Sequence, residues 1–129
     1  MNNYVKKGVA SEILLQYYFM QEGYSVLEPK SHDNPFDFVI HKEKFLKVQV
    51  KHTRTERIGI DKRRALTSYK QLSLNKIRLK YQEKDVDIMG LHFTSTNTIY
   101  VVEYDKIMTY TSLRESTIKK LDPIYVFKT

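Results

Sequence analysis

Apolar residues near the start of the chain recur at helical spacing. Val9, Ile13, Leu14, Tyr17 and Met20 fall near one stripe, which predicts a helix over residues 5–22 with that stripe on the core. Gly23 closes it as a C-terminal cap. The pattern then changes period. Tyr24-Ser25-Val26-Leu27 reads as a short strand stopped by Pro29, and Ser31-His32-Asp33-Asn34-Pro35 is loop chemistry. Residues 36–40 and 45–51 read as two strands joined by the turn His41-Lys42-Glu43-Lys44, a hairpin. Residues 52–70 are polar and basic, an extension of the strand or a loop. Loose periodicity over 70–81 predicts a second helix. Residues 85–93 and 98–103 form another hairpin about Asn97, residues 105–112 a helical turn, and residues 124–127 a last strand. This order predicts an α+β fold: a mixed central β-sheet flanked by helices.

The 129 residues fit one domain spanning 1–129, large enough to bury a core. No run approaches the ~20 apolar residues of a membrane helix, and no signal-peptide core follows Met1. Cysteine is absent, which excludes disulfides and thiolate metal sites. These features lead us to expect a soluble, cytoplasmic protein without a membrane partner. Net charge is +7, unevenly spread. Between Lys42 and Lys84 stand 14 basic and 4 acidic residues, against 8 basic and 11 acidic elsewhere. A basic block on a small domain suits a polyanion such as a nucleic acid. A solvated lysine-rich surface is the alternative.

Candidate chemistry gathers on the first hairpin. Asp37 begins a strand whose Phe36, Phe38 and Ile40 are expected to face the core. On the returning strand, alternation sends Val48 and Val50 inward and Gln49 and Lys51 to the opposite face. Asp37 offers a carboxylate for Mg²⁺, Gln49 an amide oxygen, and Lys51 a point charge for phosphoryl oxygens. An aspartate capping a turn and a solvent-facing polar strand would leave the same pattern. Glu12 lies at the border of the helical stripe, where it is either a surface glutamate or a carboxylate leaning across the sheet edge toward Asp37.

Glu12 on a first helix, Asp37 at a strand start and Gln49-x-Lys51 on the next strand resemble the PD-(D/E)XK nuclease superfamily. Lys7-Gly8, Gly23-Tyr24-Ser25-Val26 and Pro29 agree. So do Asp85-Val86-Asp87 and Ile99-Tyr100-Val101-Val102. The similarity spans roughly residues 5–107 and is to the branch with Gln in the third motif, which includes homing endonucleases of group I introns. It departs in two places: Pro35 is separated from the acid by Phe36, and Gln49 is neutral, which lowers the affinity expected for a cation.

The resemblance implies a restriction-endonuclease-like core and a Mg²⁺-dependent DNA endonuclease, of a mobile intron or phage element, with Mn²⁺ as a possible substitute. Glu12, Asp37, Gln49 and Lys51 would be catalytic. Asp37, Gln49, Glu12 and the carbonyl of Val50 would hold the metal, and the products would carry a 5′-phosphate and a 3′-hydroxyl. A Holliday junction resolvase of the same superfamily and a non-cleaving nucleic-acid-binding relative are the alternatives.

Lys7, His52, Thr53, Arg54, Thr55, Arg57, Lys62, Arg63 and Arg64 are the candidate contacts to double-stranded DNA, either as backbone clamps or as a flexible basic loop. The four histidines lack metal-ligand spacing. Tyr17, Tyr18, Tyr100 and Tyr125 fall in apolar settings that suit a core or a subunit interface. Cutting both strands with so small a chain implies a homo-oligomer, a dimer or a tetramer.

Overall fold

The computed structural model describes residues 3–31, 34–60, 63–64, 79–80 and 85–129; for 3–7, 63–64 and 79–80 it describes the backbone alone. Helix α1 (Asn3–Gln21) leads into β1 (Ser25–Leu27), β2 (Phe38–His41) and β3 (Phe45–Thr53). After β4 (Arg57–Gly59), β5 (Arg63–Arg64) and β6 (Leu79–Lys80) come β7 (Ile88–Phe93) and β8 (Thr98–Glu103). A 3-10 turn (Tyr104–Lys106), β9 (Ser112–Arg114), α2 (Glu115–Ile118) and β10 (Tyr125–Lys128) complete the described elements.

Six strands form one sheet in the order β1-β2-β3-β7-β8-β10. The β3–β7 pair is parallel and the other pairs are antiparallel. This is the mixed central sheet expected of an α+β protein. Every residue of β7 is buried, as are five of the six in β8, so both read as continuous apolar runs rather than alternating ones. Asp87 locks the entry to the parallel pair: its carboxylate accepts the Lys47 N–H at 2.8 Å, and its own N–H donates to the Lys47 carbonyl at 2.9 Å.

The sheet has two packed faces. Under α1 lie Phe38, Ile40, Val48, Val50, Ile88, Ile99 and Val101, joined by Leu15 and Phe19 of the helix. Phe19 meets Tyr24, Phe38, Tyr125 and Phe127 edge-on, and Tyr18 stacks on Phe127 at 4.8 Å. These ring contacts tie the C-terminal half of α1 to the β10 edge. On the other face, Met89, Leu91, Phe93, Tyr100 and Val102 are covered by Ile58, Tyr104, Ile107, Leu113 and Ile118.

Several expectations are corrected. The helix does not bury the stripe read from its periodicity: Val9, Ile13, Tyr17 and Met20 are 39%, 59%, 51% and 54% exposed, while Ser11, Leu15 and Phe19 are buried. The helix carries two apolar stripes on opposite sides, and the one with the larger aromatic partners on the sheet packs. The helix expected over 70–81 is strand at 79–80, where β6 pairs with β5; the rest of that stretch lies outside the described residues. The two strands of the first hairpin span 38–41 and 45–53, so Asp37 stands just ahead of β2 rather than within it. Where a helical turn was expected over 105–112 there is a 3-10 turn at Tyr104–Lys106, and β9 and α2 follow before the last strand, β9 pairing with β4 from the stretch read as a strand extension or loop. These form through contacts with distant segments that local pattern does not carry.

Candidate active site

Asp37 is held by the backbone of β3. Its N–H donates to the Val48 carbonyl at 2.7 Å, and one carboxylate oxygen accepts the Val50 N–H at 2.7 Å. The β2–β3 register ends at Phe38–Val48. Beyond it the half-buried donor of Val50 needs a partner, and the Asp37 side chain supplies one. The N–H and C=O of one strand residue point the same way, so the Val50 carbonyl faces the same open edge. Burial pushes the Asp37 carboxyl above its ordinary value; the Val50 hydrogen bond and the positive charge of Lys51 act against that rise.

Glu12 comes from α1 and meets Asp37 in a cleft of about 380 Å³ whose walls also include Glu28 and Pro29. Burial, then the charges of Asp37 and Glu28, lift the Glu12 carboxyl to about 7. Lys51, whose charge acts on Asp37, opens onto a second cleft of about 490 Å³, with Gly8, His52 and Gly59 in its walls. Gln49 is half-buried one strand step away, opposite Met89 in register and on the Lys51 face by alternation. The fold therefore brings Glu12, Asp37 and Lys51 into one electrostatic neighbourhood and sets Gln49 beside it. Phe36, expected in the core, is only half-buried.

A hard cation fits this donor chemistry. Two carboxylates, an amide oxygen and the Val50 strand carbonyl are all oxygen donors, the set that suits an ion keeping several of its waters. Like charges crowd Glu12, Asp37 and Glu28 together, which a divalent ion would relieve. Among the described residues no three His, Cys, Asp or Glu side chains are grouped closely enough to hold a metal by themselves. Backbone, amide and solvent oxygens would have to complete the shell.

The candidate nucleic-acid residues divide. His52 follows Lys51 into the second cleft. The Thr53 and Thr55 hydroxyls bond each other at 3.0 Å, and Thr55 Oγ1 donates to the Arg57 carbonyl at 2.9 Å, so they shape the bend between β3 and β4. Arg57 donates to Ser112 Oγ at 2.8 Å, across the β4–β9 ribbon, and Arg54 is exposed. Lys7 is on α1, and Arg63 and Arg64 form β5. Their side chains and all of Lys62 lie outside the described residues.

Two groups escaped the sequence. Glu28, an acid between the first strand and Pro29, enters the cleft from β1's end; its position before a strand-stopping proline is the only local sign. Ser11 and His92 form a buried pair, Oγ to Nδ1 2.8 Å. Burial, then the neighbouring His52, push the His92 ring below its ordinary value. Nothing in the sequence links residues so far apart.

The fold is similar to that of a solved bacterial homing endonuclease, I-Ssp6803I, with a TM-score of 0.69 at 23% identity, over 88% of this chain and 78% of that one. No curated protein sequence matches the chain. The sequence model of PD-(D/E)XK endonucleases matches residues 3–123, which takes in Glu12, Asp37, Gln49 and Lys51 alike. With that match extending over nearly the whole chain, the protein belongs to the PD-(D/E)XK endonuclease family.

Proposed function

We propose that this protein is a single-domain, Mg²⁺-dependent DNA endonuclease that hydrolyses phosphodiester bonds, and that it serves as a homing endonuclease of a mobile intron or phage element. The observation that carries the reading is the meeting of Glu12 and Asp37 in one cleft with Lys51 beside them. Asp37, Glu12, the Gln49 amide oxygen and the Val50 carbonyl would hold the ion, with Mn²⁺ able to substitute. A divalent ion supplies positive charge at the scissile phosphate and acidifies water there. Asp37 keeps one oxygen on Val50 and so presents the other in a fixed direction. Lys51 places a point charge where negative charge develops on the phosphoryl oxygens. The second cleft continues from Lys51 past His52 and Gly59, a path open to the flanking DNA backbone.

Cutting both strands calls for two such centres, so we assign the protein to a homo-oligomer. The exposed stripe of Val9, Ile13, Tyr17 and Met20 runs along α1 from the rim of the acidic cleft and supplies an apolar contact surface for a second copy. The test is incubation with Mg²⁺ and, separately, duplex plasmid, a genomic library and a four-way junction. Discrete duplex cuts are expected. Paired symmetric nicks at the junction alone would make it a resolvase, and shifted but intact DNA would make it a binder.

A further inference from the structure

Helix α1 turns toward the sheet a stripe of graded size: Gly8, Ser11, Leu15 and Phe19. The C-terminal half is held by aromatic packing. In the middle, Leu15 rests directly on the backbone of Gly90, where a Cβ would overlap Leu15 Cδ2. Toward the N-terminus the stripe shrinks to a hydroxyl and then to no side chain at all, with the His52 ring 3.7 Å from where a Cβ on Gly8 would stand. Small residues there let the helix lie close to the sheet. Val9 and Ala10 are exposed, so among described side chains Ser11 makes the only buried contact of this half. That contact is its 2.8 Å hydrogen bond to His92, on the central strand β7. Glu12 is the next residue.

We propose that Ser11 and His92 are positioning residues: their buried hydrogen bond fixes the height and rotation of the N-terminal half of α1 and so holds Glu12 over Asp37. The proposal rests on the nuclease reading for its activity consequences but not for its geometry. Ser11 touches neither substrate nor ion. It acts through Glu12, as outer partners of a metal site act through the ligands they orient. Without the bond, the Leu15 and Phe19 contacts keep the helix docked, while its first turns swing about them.

The test compares Ser11→Ala, His92→Asn and Glu12→Gln with the unmodified protein. Mn²⁺ affinity is read by electron paramagnetic resonance without DNA, and cleavage by steady-state kinetics. Ser11→Ala should lose about tenfold or more in Mn²⁺ affinity and in kcat, with KM for DNA within about twofold. His92→Asn places an amide nitrogen where Nδ1 stood and should retain most of both. On a Glu12→Gln background, Ser11→Ala should cost little more, since the group it positions is already gone. Unchanged Mn²⁺ affinity in Ser11→Ala, or a full additional loss on the Glu12→Gln background, would overturn the proposal. A protein that binds Mn²⁺ and cuts no DNA would sink the nuclease reading and leave the binding arm of this test intact.

Discussion

At the scale of single residues, the chemistry is divided between a carboxylate whose direction is set by backbone and one whose charge is set by its neighbours. Asp37 has its orientation dictated by the Val50 N–H. Replacing it with Ala removes a donor oxygen and leaves that N–H without its acceptor. Asp37→Ala and Lys51→Ala are each expected to lower cleavage at least ~100-fold while DNA retardation in gels persists. Full activity in both variants would remove the site assignment. The Glu12 carboxyl is pushed up to about 7, so on the proposed reading protons and a cation would compete for it in the neutral range. Apparent Mg²⁺ affinity should therefore fall as pH drops from about 8 to about 6, measured as the Mg²⁺ concentration for half-maximal cleavage. The stability contribution runs the other way. A carboxyl whose folded value lies above its ordinary one disfavours the fold when charged, and acidification through 7 relieves this in the metal-free protein. Melting curves at pH on either side of 7, with and without Mg²⁺, should show the metal stabilising most at the higher pH.

Among the elements, α1 and the first hairpin carry the site jointly. Bonds to Val48 and Val50 of β3 set Asp37 just beyond the hairpin register, pairing of β3 with β7 sets Lys51, and the helix brings Glu12 to the Asp37 cleft by its packing on β7. Gly90 is the close point of that packing. In Gly90→Ala the new methyl displaces Leu15, itself fully buried, and the helix must lift or repack. The expected loss is ~1–3 kcal/mol, read from urea unfolding, with metal affinity falling as the helix moves. Phe19→Ala removes the centre of the ring cluster and should cost ~3–5 kcal/mol. Such a variant reports on the fold and not on the site. The Thr53–Thr55–Arg57 bend has a different part. Its hydroxyls are committed to one another and to backbone, so Thr55→Ala should loosen the bend into β4 rather than delete a DNA contact.

For the whole molecule, charge is the governing quantity. The surplus of cations between Lys42 and Lys84 stands against a net negative remainder. Lys51 and His52 open one cleft beside a second that holds Glu12, Glu28 and Asp37. On the proposed reading a polyanion would be drawn to the basic part, and the acidic cleft would need a cation before a phosphate could approach it. DNA affinity is expected to fall steeply with salt, about tenfold or more between 50 and 200 mM, and fluorescence anisotropy would read it. Flat binding across that range would exclude the basic segment as the contact surface. Among the described residues, no helix is long and apolar enough to cross a membrane.

The local sequence was sufficient for the hairpin. Alternation of Val48 and Val50 with Gln49 and Lys51 follows from the two-residue period of a strand, and that period needs no tertiary information. Glu12, Gln49 and Lys51 were singled out for the same reason, since each lies at a position that a helix or strand defines, whereas Asp37 stands just ahead of β2 and is placed by its bonds to Val48 and Val50. Which side of α1 packs was not legible. Two apolar stripes compete on that helix, and the choice belongs to Gly90, Phe38 and Phe127, residues far away in the chain. The pairing of Ser11 with His92, the arrival of Glu28 at the cleft and the β4–β9 ribbon have the same origin. Each joins segments whose proximity exists only once the sheet has formed. Spacing along a chain records the period of an element, and the meeting of elements is decided by packing.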